Sequence, residues 1–376
     1  MNQALNDQAV DANAPSELQS MIADSVERLF ADQITPEVLA RFDAGQAASE
    51  LWQLVVDNGL PGALVTEDAG GSGANWLEVS PVMRAIGYWK APLALSETML
   101  AAMLLGRVGL DVPEGPMTVI QTGHCGDLEL GEDGNLSGSA TSVPWARSCQ
   151  WAVVADPRGR IALVDLKHPL VRVEPGSNFA GEQRDTLHFD ATPAKAMVAL
   201  QVADIAEPVW LFGALMRACM LVGALESSLD QAVAYANERA QFGKAIGKFQ
   251  AIQQQLAQMA GAIGLARTAT QVALHSACQA MAAQPGSRSS LLFDVAVAKV
   301  CAGEAATLAT SVAHQVHGAI GFTHEHTLHF ATRRLWSWRD EFGSDAQWAE
   351  VLGQAAIAAG SEGFWAGLTA RDLHPV

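Results

Sequence analysis

The sequence is poor in charge and poorer in basic charge. Charged residues make up 17% of its 376 residues, and 23 Lys and Arg stand against 40 Asp and Glu, a formal charge of −17. No basic stripe exists to displace counterions from phosphates, so a nucleic-acid partner is excluded. Its five cysteines are scattered, odd in number and free of any Cys-x-x-Cys pair. That spacing argues against a zinc site or a disulfide framework and fits a reducing, cytoplasmic setting. Long apolar runs are also missing: LLFDVAVAKV is too short and too interrupted to cross a bilayer, and MNQALNDQAVDANAP has neither a signal core nor an arginine-rich transit pattern. Neither a membrane nor a nucleic acid is expected as a partner.

What is present is apolar and well patterned. Hydrophobic residues reach 49%, enough for a large buried core in two or three units. SELQSMIADSVERLF puts Leu18, Ile22, Val26 and Leu29 on one helical face behind Ser16 as N-cap. Helical patterns continue through ASELWQLVVDNG, WLEVSPVMRAIGYW and SETMLAAMLLGRV, so residues 1–112 read as helices joined by glycine-rich loops. From Pro113 the segments become short and alternating, and DPRG between two aliphatic runs signals a hairpin. Residues 113–203 read as a small β domain. Residues 204–376 return to long helices, with Leu211, Leu215, Val222, Leu225, Leu229 and Val233 at helical spacing and a turn at QPGSRSS (284–290). Such helices with short connections predict an antiparallel bundle.

Two stretches carry chemistry. NERAQFGKAIGKFQAIQ (237–253) sets Arg239, Gln241 and Gln250 beside Gly243 and Gly247 at a helix-to-helix turn. Glycine lets backbone approach a ligand, and arginine can clasp a phosphate with two parallel hydrogen bonds. By spacing alone a glycine-rich turn with a solvated arginine is the favoured reading. HQVHGAIGFTHEHTLHF (314–330) holds five of the ten histidines. A metal site at His324, Glu325 and His326 is disfavoured, because adjacent side chains on a helix diverge. His317 and Gly318 read instead as a loop at the N-terminal side of a helix, where backbone N–H groups favour an anion.

Together, RAQFGKAIGKFQAIQ and HQVHGAIGFTHEHTLH resemble the acyl-CoA dehydrogenase family, and GALVTEDAGGSG (62–73) resembles its N-terminal Pro-Glu-Glu-x-Gly-Gly-x-Gly loop. The likeness covers the whole chain. It implies a mainly α fold with a central β domain: an N-terminal helical domain, a small β-barrel domain and a C-terminal four-helix bundle. It further implies FAD as cofactor, an acyl-CoA substrate, a homo- or hetero-oligomer, and an electron-transfer flavoprotein as electron acceptor. In the family a base removes the α-proton and the β-hydrogen leaves as hydride to the flavin. Arg239, Gln241, Phe242, Gly243, Phe249 and Gln250, with Gln315, His317 and Gly318, would contact the adenosine-diphosphate part of FAD, across an interface, on a neighbouring subunit.

Three elements depart from the family pattern. QTGHCGDLELGEDG replaces the Thr-Glu-Pro-x-x-Gly-Ser-Asp loop that helps hold the flavin ring. SATSVPWARSCQW replaces the Trp-Ile-Thr-Asn-Gly strand, where Thr141, Ser142 and Trp145 could substitute. Aligning Gly343-Ser344 with the family's Gly-Thr puts Phe342 where the catalytic Glu belongs. Glu341 is one position early, a rotation of about 100° on a helix. A minority of members carry the base on the first bundle helix; that position falls near Gly213, and Glu207 lies about two turns away. Three readings stay open. The chain is the non-catalytic half of a hetero-oligomer, like the paired subunits acting on steroid-CoA substrates; or a self-sufficient enzyme with Glu341, or Asp340, as base; or a flavin-free CoA-binding scaffold.

Overall fold

The computed structural model describes residues 16–46, 48–200, 205, 207–284 and 289–371. The polar N-terminal stretch 1–15, the junction expected at 203/204 and most of the turn at 284–290 lie outside the described residues.

Helices open the chain: α1 (Glu17–Gln33), α2 (Pro36–Asp43), α3 (Ser49–Asp57), α4 (Trp76–Trp89) and α5 (Leu95–Arg107). Ser16 caps α1 by accepting from the Gln19 amide. Asn75 and Glu78 form a reciprocal capping box that starts α4 straight after the glycine-rich loop, satisfying donors that a helix start leaves unpaired. On α1 the buried residues are Val26 and Phe30, whereas Leu18 is exposed. The inward stripe is set by contact with α4 further along the helix.

Eight strands follow, in two four-stranded sheets: β1 (Met117–Gln121), β2 (Glu129–Leu130), β3 (Asn135–Pro144), β4 (Trp151–Ala155), β5 (Arg160–Asp165), β6 (Val171–Glu174), β7 (Arg184–Pro193) and β8 (Ala196–Ala199). Their orders are β1-β4-β5-β8 and β2-β3-β7-β6. β4 and β5 pair antiparallel across Asp156–Gly159, and Asp156 Oδ1 accepts from the Arg158 and Arg160 amides to close that hairpin. β1 and β4 run parallel, a long-range pairing that no local turn signal encodes. The two sheets share a core of their own, including Leu136, Val143, Trp145, Val154 and Leu187. The register of β3 against β7 shifts between Ala140 and Val143.

The bundle comprises α6 (Pro208–Glu238), α7 (Gln250–Ala282), α8 (Leu291–His317), α9 (Leu328–Trp338) and α10 (Asp345–Ala370), the last kinked at Gly360. Between α6 and α7 lies a small hairpin, β9 (Ala240–Gln241) and β10 (Lys244–Ala245). α6 is long and apolar enough to cross a membrane, but 94% of its most apolar window is buried in the fold, so it is a core helix. It crosses α4 at backbone contact: a methyl on Gly223 would sit 2.0 Å from the Arg84 carbonyl oxygen. The first helical unit is thereby clamped to the bundle.

Candidate functional site

A cavity of about 580 Å³ lies where the β sheets meet the start of α6 and the turn after α9, within the range of small-molecule sites. From the β side come Gln121, His124, Thr141 and Ser142; from the bundle side come Trp210, Trp336, Asp340 and Phe342. Thr141 and Ser142 belong to the irregular register of β3, and Ser142 has φ +56°. Bulges of this kind re-aim side chains, here toward the cavity. Trp145 does not join them; it is buried in the β core, 5.8 Å from the Phe42 ring.

The turn Asp340–Ser344 forms the floor. Lys299, fully buried on α8, donates to the carbonyls of Trp338 (3.3 Å), Arg339 (3.1 Å) and Glu341 (2.9 Å). A cation thus caps the C-terminal end of α9, where the helix leaves carbonyls unpaired. Burial first, and then Arg217, push the Lys299 amine down to about 7. Phe342 has φ +52°, and the Trp348 indole donates to its carbonyl at 2.9 Å. This strained residue is held from both sides.

Glu341 lines the cavity, but its carboxylate is fully engaged. Its Oε1 accepts from Arg184 Nε (2.8 Å) and Asn178 Nδ2 (3.0 Å); its Oε2 accepts from Arg184 Nη2 (2.8 Å) and Arg217 Nε (2.7 Å). Burial alone would raise its pKa, but the two guanidiniums and their hydrogen bonds outweigh it and hold the carboxyl at about 2. Arg217 also pairs with buried Glu97, and Arg184 with buried Glu182. The resulting ionic chain joins the first helices, the β sheets and the bundle. Asp340 faces the cavity; burial and the nearby Asp345 and Glu341 raise its pKa, against Arg339 and Lys299.

Phe342 and Gly213 meet. A Cβ built on Gly213 would lie 2.4 Å from Phe342 Cδ1, so the ring occupies the space that any side chain at position 213 would need. The Arg217 guanidinium lies over the same ring, 5.2 Å from its centroid. Glu207, at the N-cap of α6, is engaged elsewhere: its Oε1 lies 3.0 Å from His124 Nε2, and the His124 ring stacks on Trp210 at 3.7 Å.

The second group of expected residues lies at the other end of α6. Arg239 is the exposed C-cap residue, and no side-chain bond holds its guanidinium among the described residues. Phe242 and Gly243, with φ of +51° and +80°, form the hairpin tip, the twist that two-residue hairpins favour. Phe242 is 91% exposed. Gln241 and Gln250 are exposed beside it, and Phe249 lies edge-on to Phe242 at 6.2 Å under Lys244 Nζ. Gln315, His317 and Gly318 reach the same end, because Tyr235, one turn before Arg239, stacks on His317 at 4.6 Å. His317 is the last residue of α8 and Gly318 its C-cap. A short 3-10 helix, Gly318–Phe322, starts there with His317 as its N-cap, so His317 and Gly318 stand at the N-terminal side of a helix as expected, a helix of one turn that follows α8 directly. His317 donates through Nδ1 to the Ala313 carbonyl while its buried Nε2 has no partner among the described residues. His324 and His326 are not part of any three-residue metal cluster among the described residues.

Spacing had not singled out Arg184, Arg217, His124, Trp210 or Lys299. Arg217 within the apolar run GALMRACML was the available signal, since a buried guanidinium demands a carboxylate.

Residues 16–111 match the acyl-CoA dehydrogenase N-terminal domain and residues 210–356 the acyl-CoA dehydrogenase C-terminal domain. The chain belongs to the acyl-CoA dehydrogenase family, oxidoreductases acting on a CH–CH bond. It is 29% identical to acyl-CoA dehydrogenase FadE27 of Mycobacterium tuberculosis over 74% of this chain and 80% of that protein. Its fold is shared with the ChsE4–ChsE5 complex from Mycobacterium tuberculosis (TM-score 0.81, 22% identity, 92% of this chain and 98% of that one). It is shared as well with the Tcur3481–Tcur3483 steroid ACAD G363A variant (TM-score 0.79, 23% identity, 93% and 100%).

The two ends suit FAD unequally. At the hairpin, an arginine unpaired among the described residues, exposed amides and glycines with open space suit an adenosine diphosphate. In the cavity the lining arginine is already spent: Arg184 pairs with Glu341 and Glu182, and the His124 ring lies against Glu207. Asp340 adds a carboxylate whose cation, Arg339, lies 3.6 Å away and is clasped by Asp345. That lining does not suit a pyrophosphate.

Proposed function

We propose that this chain is the non-catalytic subunit of a hetero-oligomeric acyl-CoA dehydrogenase, lending its hairpin end to the FAD of a related partner subunit. The observation that carries this reading is the contact between Phe342 and Gly213: neither position from which the family supplies its base holds a carboxylate, and the Phe342 ring fills the space that a side chain at 213 would need. Removing a base costs typically about 10²–10⁴-fold in rate, so a competent site would not lack both. Glu341 does not compensate. A carboxylate held at about 2 by two arginines is a poor proton acceptor, and its lone pairs are in use.

Distance supports the division of roles. The stretch of α6 from Trp210 to Arg239 spans about 43 Å at about 1.5 Å per residue, beyond the reach of one dinucleotide. Arg239 and the cavity therefore serve different ligands. When bound, the partner's flavin supplies the hydride acceptor. In that assembly Arg239 would hold its pyrophosphate in a bidentate clasp, Gln241, Gln250 and Gln315 would offer amide donors, and Phe242 would cover the nucleotide. A fold shared with a complex of two chains, ChsE4–ChsE5, supports a hetero-oligomer; the acyl group acted on would be that of the partner's site.

The test is the flavin content of the chain produced alone and together with a related subunit, followed by anaerobic bleaching with acyl-CoA thioesters. The chain alone should be colourless and the assembly yellow and bleachable. A yellow homo-oligomer that bleaches by itself would overturn the proposal and make Glu341 the first suspect as base.

A further inference from the structure

The ionic chain in the interior is balanced: Glu97, Glu182 and Glu341 are matched by Arg217, Arg184 and Arg334. Two buried lysines stand outside that balance, Lys299 and Lys90. Lys299 gives its protons to three carbonyls at the end of α9. Lys90, the left-handed C-cap residue of α4, is 9% exposed and pairs with no carboxylate among the described residues. Its ammonium bonds to the buried Ser227 hydroxyl on α6 at 3.1 Å. That hydroxyl also accepts from Gln231 Nε2 (3.4 Å), while its own proton meets no acceptor among the described residues. On α9, Arg334 is 1% exposed; its Nε donates to Glu182 and its Nη1 to the Phe330 carbonyl, but its Nη2 has no partner among the described residues. α9 packs on α6, and Arg334 acts on the Lys90 ammonium: burial first, and then Arg334, lower its pKa to about 8. Lys90 is therefore still charged at neutral pH. Three buried donors from three helices lack an acceptor, and two of them are cationic. Native interiors leave few such groups without a partner, a water or an ion, and a buried charge with no counter-charge is costly.

We infer that Lys90, Ser227 and Arg334 hold a small monovalent anion, chloride, at the junction of α4, α6 and α9. One negative charge neutralises the surplus lysine, and a spherical ion accepts from all three donors without directional demands of its own. Sulfate and phosphate are excluded, because they bring more charge and bulk into a site closed to solvent. A water molecule would supply an acceptor but no charge, and predicts no dependence on chloride. The ion would tie the last turn of α4 to the bundle. This inference goes beyond the proposed function and does not rest on it, since none of the three residues belongs to the hairpin or lines the cavity.

The probe is chloride itself, exchanged for gluconate at constant ionic strength while the thermal unfolding midpoint of the full-length chain is followed. The expected result is a saturable rise of about 2 °C or more, reproduced by bromide. Lys90→Met should abolish that dependence, and in gluconate it should be no less stable than the parent, because it removes an uncompensated charge and keeps the stem. The difference between parent and variant cancels the general effect of each salt on burial. Ser227→Ala keeps the lysine and should raise the chloride concentration at half effect about tenfold, as for a lost bond to a charged group. Circular dichroism checks that both variants fold; should Lys90→Met fail to fold, Ser227→Ala decides. Equal midpoints in chloride and gluconate overturn the inference, as does a chloride response undiminished in the folded variants, which would mean an adventitious ion elsewhere. Flavin content of the same preparations is read separately, so a chain that binds FAD alone overturns the proposed function and leaves this inference standing.

Discussion

At the scale of single residues, Glu341 and Phe342 exchange the roles their positions suggest. The carboxylate next to the base position is turned inward onto two arginines, and the residue at that position presents a ring. Glu341→Gln would leave Arg184 and Arg217 facing a neutral amide in a buried site. Breaking a buried pair from one side costs about 3–5 kcal/mol, and chemical denaturation should read a loss of that order. Turnover per flavin in the assembled enzyme should change by no more than about threefold, far from the loss a missing base brings. The pH dependence follows from the sign of the shift. A carboxyl near 2 when folded and near 4.5 when unfolded contributes stability above about 4.5, and that contribution is lost as pH falls toward 2. Glu341→Gln should flatten this part of the stability profile; an unchanged acid limb would contradict the pairing.

The same scale holds the Gly213 contact. Gly213→Ala places a methyl inside the Phe342 ring and should destabilise by about 1–3 kcal/mol, the usual range for overpacking. Phe342→Ala should relieve that penalty, so a double-mutant cycle should show strong coupling. Additive effects would mean that the two residues are not in contact.

At the scale of elements, several were legible in the sequence because they carry a local signal: Ser16 before an apolar period for α1, and Asp-Pro-Arg-Gly between two aliphatic runs for the β4–β5 hairpin. The parallel pairing of β1 with β4 was not, since its register comes from packing between segments distant in sequence. The site was legible only in halves. The hairpin residues form a continuous motif and could be read directly, whereas the cavity is assembled from His124, Arg184, Arg217, Lys299 and Phe342, which no spacing rule connects. His317 and Gly318 were legible as a helix start, but not as the end of α8 that the same two residues also form.

Lys299 is the residue on which the turn after α9 depends, although it belongs to α8. Lys299→Met would strip three carbonyls of their donor, each worth about 1–3 kcal/mol when left buried and unsatisfied. The variant should show faster amide exchange through residues 338–342 before global unfolding, measured by hydrogen exchange and mass spectrometry. Unaltered exchange there would show that the ionic chain alone fixes the turn.

At the scale of the whole molecule, α6 separates two sets of side chains that have no residue in common. Arg239→Ala should reduce flavin retained by the co-produced assembly by about tenfold or more, as expected for loss of a charge-assisted clasp, while the thermal unfolding of the isolated chain stays within about 0.5 kcal/mol, as for a surface substitution. Retention unchanged by that variant would remove the hairpin from cofactor binding.

The backbone contact between α6 and α4 at Gly223 has a consequence for how such a chain can change over evolutionary time. Because the long helix meets α4 main chain to main chain near its middle, its two ends keep their spacing whatever happens at either one. A duplicated gene could therefore let one end drift, trading a carboxylate for a phenyl ring, while the other stayed under selection through a sister protein. Inheritance of the scaffold is enough to keep the loan of a binding surface intact after the lender's own chemistry is gone.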